Sequence, residues 1–169
     1  MDVPEIEEVL PWMEIAKGEL KLNIETDGAN DVPIVRKYLA SCNLGGGDKW
    51  CGAFANWCFI QVGIKGSSKL SLVENWKTWG DDLEKNPALG SVMVIKEDKP
   101  KGESHVGFVV GKQSNGKIVL LGGNQSDSVR YSSYSTSNLA CYVFPKNYIP
   151  NYDLPIVKII NNGLDIENL

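Results

Sequence analysis

A single histidine, His105, occurs in the 169 residues, so any imidazole chemistry in the chain falls to that side chain. Four cysteines are present, Cys42, Cys51, Cys58 and Cys141, and no two have CxxC spacing. A zinc site built from several His and Cys ligands therefore finds little support, and we expect no metal and no organic cofactor. A domain of this length buries roughly 70% of its unfolded surface and does not need disulfides to fold. No apolar run approaches the ~18 residues of a spanning helix, which speaks against stable membrane insertion. Lys plus Arg number 17 against 21 Asp plus Glu, a net charge of −4, so the basic excess of a nucleic-acid binder is missing. The opening MDVPEIEEVLPW carries acids where a secretory leader begins with positive charge, and we expect synthesis without a signal peptide. GxSxG is absent, which removes the serine-hydrolase elbow. GKQSNGK matches the start of a P-loop, but Ile118 follows it and the context is strand–turn–strand, so that reading fails. The acid-rich stretch Glu25, Asp27, Asn30, Asp31 lacks EF-hand spacing and reads as a solvated loop.

What is present reads as helices followed by strands. Residues 5–18 carry an apolar stripe interrupted by Pro11, which suits the first turn of a second helix. VPIVRKYLASC follows, with Asn30 or Asp31 as cap and Pro33 in the first turn. After the flexible LGGGDKW comes a strong helical segment, CGAFANWCFIQVG, with Gly63 as its stop. Residues 71–83 predict another helix. SVMVIK, HVGFVVGK, KIVLLGG, VRYSSY and LACYVF are short β-branched or aromatic runs separated by turn residues. The order predicts an α+β domain with N-terminal helices packed on an antiparallel sheet of about five strands. We place the domain at 1–149. Residues 150–169 are left as a tail, either an extra strand (PIVKII), a docking segment or a mobile end.

Cys51 lies between the glycine-rich loop and an amphipathic helix, hence at a helix N-terminus. The partial positive charge there favours a thiolate, and the loose amides suit a developing oxyanion. Gly52 leaves room for a substrate carbonyl, and Trp50 is taken to line a substrate groove, with core packing as its alternative. Cys58, two helical turns deeper, reads as core, and Cys42 and Cys141 as structural. His105 opens the strand HVGFVV. Asn115-Gly116 is the strongest short hairpin signal in the chain and predicts a two-residue turn between that strand and KIVLLGG. In that register Gly107 faces Asn124, which makes Asn124 a diagonal neighbour of His105. Gln125 and Asp127 fall on the opposite face unless Gly122-Gly123 bulges. The result is a Cys, a His and an Asn in chain order. That set suits a thiol nucleophile, a base to hold its proton, and an amide carbonyl to fix the ring.

PWMEIAKGEL, WCGAFANWCFIQVGI, SHVGFVVG and LLGGNQSDSV together resemble the CHAP and NlpC-type cysteine peptidoglycan hydrolases of bacteria and phages. The resemblance spans roughly residues 10–145 and implies a papain-like α+β fold with nucleophile Cys51, base His105 and polar third residue Asn124. Gln125 and Asp127 are kept in reserve for the third role. Many CHAP enzymes carry Gln before the nucleophile and Glu two residues before the Asn-like position. Here these are Trp50 and Gly122, so a second oxyanion donor is unassigned. The resemblance implies cleavage of a stem-peptide amide, as amidase or endopeptidase, at the cell wall after release or delivery. A phage lysin and an interbacterial toxin both fit, and a toxin would need an immunity protein in its producer. The alternatives are a papain-like enzyme on a non-wall amide, or a non-catalytic binding module. Loops 64–71 and 97–104 are expected to shape the groove.

Overall fold

A computed structural model describes residues 10–20, 33–98 and 103–167. The expectations for residues 5–9, for the acid-rich loop with its cap at Asn30 or Asp31, and for the centre of loop 97–104 lie outside the described residues. Helix α1 (Pro11–Leu20) begins on its proline and buries Trp12, Met13, Ala16 and Glu19. Helix α2 (Pro33–Ala40) also begins on proline and buries Val35, Tyr38 and Leu39. Glu19 ties the two together, accepting from Lys37 Nζ at 2.6 Å and Tyr38 Oη at 2.8 Å. Helix α3 (Cys51–Gln61) is buried along nearly its whole length, as suits a helix that is apolar all round. It stops where expected. Gly63 turns left-handed (φ +77°), and the N–H groups of Gly63 and Ile64 return to Ile60 and Phe59 at 3.1 and 3.0 Å.

The helix expected over 71–83 is not α-helical. Two 3-10 turns, Ser68–Ser71 and Val73–Thr78, stand in its place. Ser67 Oγ accepts the Lys69 N–H and starts the first turn early, and Leu72 is extended and interrupts the run. Asn75 Nδ2 and Trp76 Nε1 then donate back to the carbonyls of Lys69 and Leu70 at 2.7 and 2.8 Å, which α-helical continuation would have used.

The main sheet is antiparallel. Its strands are β1 (Asp81–Asp82), β2 (Val92–Asp98), β3 (Glu103–Lys112), β4 (Ile118–Gln125), β5 (Ser128–Tyr134) and β6 (Leu139–Phe144), in spatial order β1-β6-β2-β3-β4-β5. The five expected runs are all present, and the two-residue β1 adds a short edge. Strand alternation splits the core. Val92, Val94, Val106, Phe108, Val119 and Leu121 face the helices, while Met93, Ile95, Val109, Leu120 and Tyr142 form a smaller cluster behind the sheet. N-terminal helices packed on this sheet make the α+β, papain-like arrangement.

The β3–β4 register differs from expectation at two places. The turn has three residues, Ser114–Gly116, not two. Gln113 N–H reaches the Lys117 carbonyl at 2.8 Å, and only Gly116 of the three is left-handed, at φ +88°. A bulge then separates Val109 from Gly111, so that Gly111 pairs with Val119 but Phe108 with Leu121.

Residues beyond 150 form a hairpin, β7 (Val157–Ile160) with β8 (Gly163–Ile166), bridged to β3 through Ile156 and Lys112. Val157 is 1% exposed and sits over Gly111, where an added Cβ would come within 2.8 Å of its methyl group. Val157→Ala is expected to cost about 2 kcal/mol, read as a lower urea midpoint in one cooperative transition. An unchanged midpoint would mean that the hairpin is not part of the folding unit.

Candidate active site

Cys51 is the first residue of α3. The capping residue before it, Trp50, offers no side-chain hydrogen bond, so the first-turn N–H groups are not consumed by a cap. Burial alone would push the Cys51 thiol up. The hydrogen bond and charge of His105 oppose this, joined by the backbone N–H groups of Val106 and Gly52, and hold the thiol below its ordinary value. Cys42, Cys58 and Cys141 behave in the opposite way: burial leads in each and raises it. All four cysteines are free.

The His105 ring lies between two groups. Its Nε2 is 2.9 Å from Gln125 Oε1, and it stacks on Tyr134 of β5 with centroids 5.0 Å apart and planes 21° from parallel. Gln125 is 2% exposed, and its Nε2 donates to the carbonyls of Arg130 at 2.6 Å and Leu120 at 3.2 Å. Two carbonyls can only accept, so they identify the nitrogen end of the amide. The oxygen end therefore faces the ring, and the proton at that contact belongs to His105 Nε2. This leaves Nδ1 as the ring nitrogen available to the thiol.

The two-residue hairpin register places Asn124 beside the ring. The structure sets Gln125 at Nε2 instead, and Asn124 on the wall of the cleft. The cause is local. Asn124 is left-handed at φ +57°, which ends the regular alternation, and the β4–β5 register shifts between Gly122 and Gln125. Ser126 and Asp127 follow at φ +50° and +59° in a two-residue turn between the paired Gln125 and Ser128. Such turns favour Gly, Asn and Asp, so Asp127 suits its place while Ser126 holds strained backbone beside the site. Space for the Gln125 amide comes from Gly122 and Gly107. An added Cβ would meet Oε1 at 2.6 Å from Gly122 and at 3.3 Å from Gly107. Two glycines on neighbouring strands are thus the signal that a large side chain crosses above them.

A cleft of about 340 Å³ opens over Cys51 and His105 and is walled by Lys49, Ser104, Asn124, Ser126, Asp127 and Tyr134. Two expected substrate contacts are corrected. Trp50 is fully buried and stacks on Tyr38 with centroids 5.6 Å apart, so its ring does not line a groove. Gly52 is buried as well, and a Cβ there would collide with the Leu70 carbonyl oxygen. Its small size serves the packing of α3 on the 68–71 turn. Tyr134 and Lys49 join the cleft without any mark in the sequence. A mid-strand tyrosine and a loop lysine carry no local signature. Among the described residues, no group of three His, Cys, Asp or Glu is placed to hold a metal ion.

Residues 43–124 match the CHAP domain family. The chain contains a CHAP domain. Its match opens in the glycine-rich loop, spans Cys51 and His105, and ends one residue before Gln125. CHAP domains in general hydrolyse peptidoglycan amide bonds through a cysteine, and the match together with the buried cysteines supports a cysteine hydrolase function for this domain. No curated protein and no solved structure gave a significant match to the chain. Among the described residues, no helix is long and apolar enough to cross a membrane.

Proposed function

We propose that Cys51, His105 and Gln125 act together to cleave an amide bond of the peptidoglycan stem peptide. The observation that carries this reading is the contrast among the thiols. The one held below its ordinary value sits at a helix N-terminus, on the only histidine, at the foot of a cleft. In the reaction the Cys51 thiolate attacks the carbonyl carbon, and the oxyanion develops toward the uncapped N–H groups that open α3. His105 donates its proton to the leaving amine as the C–N bond breaks. It then takes a proton from water, which attacks the thioester and releases the acid and the free thiol. Gln125 is a positioning residue: it holds the imidazole and its tautomer and touches no substrate.

The test is digestion of purified sacculi with mass spectrometry of the soluble products, Cys51→Ala serving as control. Fragments that require Cys51 are expected, and their masses separate an amidase from an endopeptidase. Identical products from both proteins would contradict the reading, as would no products from several wall chemistries.

Replacing the positioning amide should matter more than replacing its neighbour. Gln125→Met is expected to lower kcat/KM by about 10–100-fold and to move the acid limb of the pH profile upward, because the imidazolium is less well held. Asn124→Ala should stay within about threefold, the scale of a contact made equally by substrate and transition state. Equal losses, or a larger loss for Asn124→Ala, would return the third role to Asn124.

A further inference from the structure

A second cavity, of about 700 Å³, lies at the opposite end of α3 from Cys51, roughly 15 Å away at 1.5 Å per helical residue. Its walls come from the turn after α3 (62–67), from Trp79-Gly80, and from Lys146-Asn147-Tyr148 after β6. Two half-buried rings line it, and both are braced from beneath. Trp79 packs on Phe59 with centroids 4.5 Å apart, and Tyr148 meets Trp12 edge-on at 5.0 Å. The indole N–H of Trp79 donates to the Lys65 carbonyl at 3.2 Å, which fixes the ring against the turn. Two exposed cations, Lys65 and Lys146, share the walls. No carboxylate does, and neither lysine forms an ion pair among the described residues.

Braced aromatic rings offer flat apolar faces to the C–H side of a sugar, while unpaired ammonium groups want an anion. A neutral sugar would leave both lysines unused. An apolar peptide would leave them to be desolvated without a partner. We propose that this cavity is a second binding site, remote from the catalytic cleft, for an anionic carbohydrate. One sugar ring would lie on Trp79 or Tyr148, and a carboxylate or phosphate would lie between Lys65 and Lys146. Identifying the ligand as a wall polymer rests on the proposed function, in which such a site holds the enzyme on its insoluble substrate between cleavages.

The test is co-sedimentation with purified sacculi in the Cys51→Ala background, with and without Lys65→Glu/Lys146→Glu. Both lysines are exposed, and circular dichroism checks folding. The double variant is expected to bind at least about tenfold more weakly, and raised salt should weaken the parent but not the variant. In the active protein, the same lysine changes should leave cleavage of small soluble muropeptides unchanged. Sacculi stripped of phosphodiester-linked polymers separate the sources. Retained binding indicates a glycan carboxylate, and lost binding a polymer phosphate. Undiminished sedimentation of the double variant would overturn the proposal. Failure of the catalytic reading would show differently, as sacculi bound through the lysines but never cut.

Discussion

Cys51→Ala is expected to lower hydrolysis of peptidoglycan by about 10⁴-fold or more, while leaving the thermal midpoint nearly unchanged. The two halves of this expectation have separate causes. Removing Sγ deletes the only atom that forms the covalent intermediate, and the uncapped helix start then acts on a substrate with no nucleophile. The structural loss is small because alanine keeps the Cβ, suits a helix, and removes a thiol that burial disfavours in its ionised state. The other cysteines give the control. Cys58→Ala removes a fully buried sulfur from the core and should destabilise by about 1–2 kcal/mol with activity retained at low temperature. Urea melts and initial rates on the same preparations check both. A large activity loss in Cys58→Ala, with Cys51→Ala active, would move the nucleophile.

His105→Ala is expected to lower kcat by about 10³–10⁴-fold and also to change the pH dependence of the remaining thiol chemistry. The sign follows from the interactions at the sulfur. Burial raises the Cys51 thiol, and His105 is the largest of the effects that lower it. Without the imidazole only the N–H groups of Val106 and Gly52 oppose burial, so the thiol rises and the thiolate forms at higher pH. In the parent protein the acid limb of alkylation should lie below the ordinary thiol range of about 8.5. In His105→Ala it should move up to that range or beyond. Tyr134, stacked on the ring, gives an intermediate case: Tyr134→Ala frees one face of the imidazole while Gln125 still holds its Nε2. A thiol whose acid limb ignores His105 would disconnect the pair.

The sequence pointed to Cys51 and His105, which the structure brings together, and kept Gln125 only in reserve as the partner of the ring for a geometric reason. Cys51 was legible because a run of glycines gives way to an apolar helix at that residue, and His105 because no second imidazole competes with it. Both depend on composition and local pattern. The partner of the ring depended on register, which is set by turn length and bulges. Asn115-Gly116 signals a hairpin correctly but does not distinguish two loop residues from three, and the bulge at Val110 leaves no composition mark. Left-handed Asn124 then turned the alternation at the end of β4, which brought Gln125 to His105. The amide of Gln125 fills the space above Gly122, which a side chain there would close. The 3-10 turns over 68–78 escaped for a similar reason. Their apolar spacing resembles a helix, while the side chains of Ser67, Asn75 and Trp76 take the backbone groups that a helix would use.

The most direct test of the central claim is brief iodoacetamide treatment of the native protein at pH about 6, read by intact and peptide mass spectrometry. A thiolate maintained by an imidazolium reacts there, whereas neutral buried thiols do not. The account predicts a single adduct on Cys51, lost in His105→Ala and slowed in Gln125→Met, with Cys42, Cys58 and Cys141 unmodified. Labelling that spares Cys51, or that reaches it no faster than the other three, would contradict it.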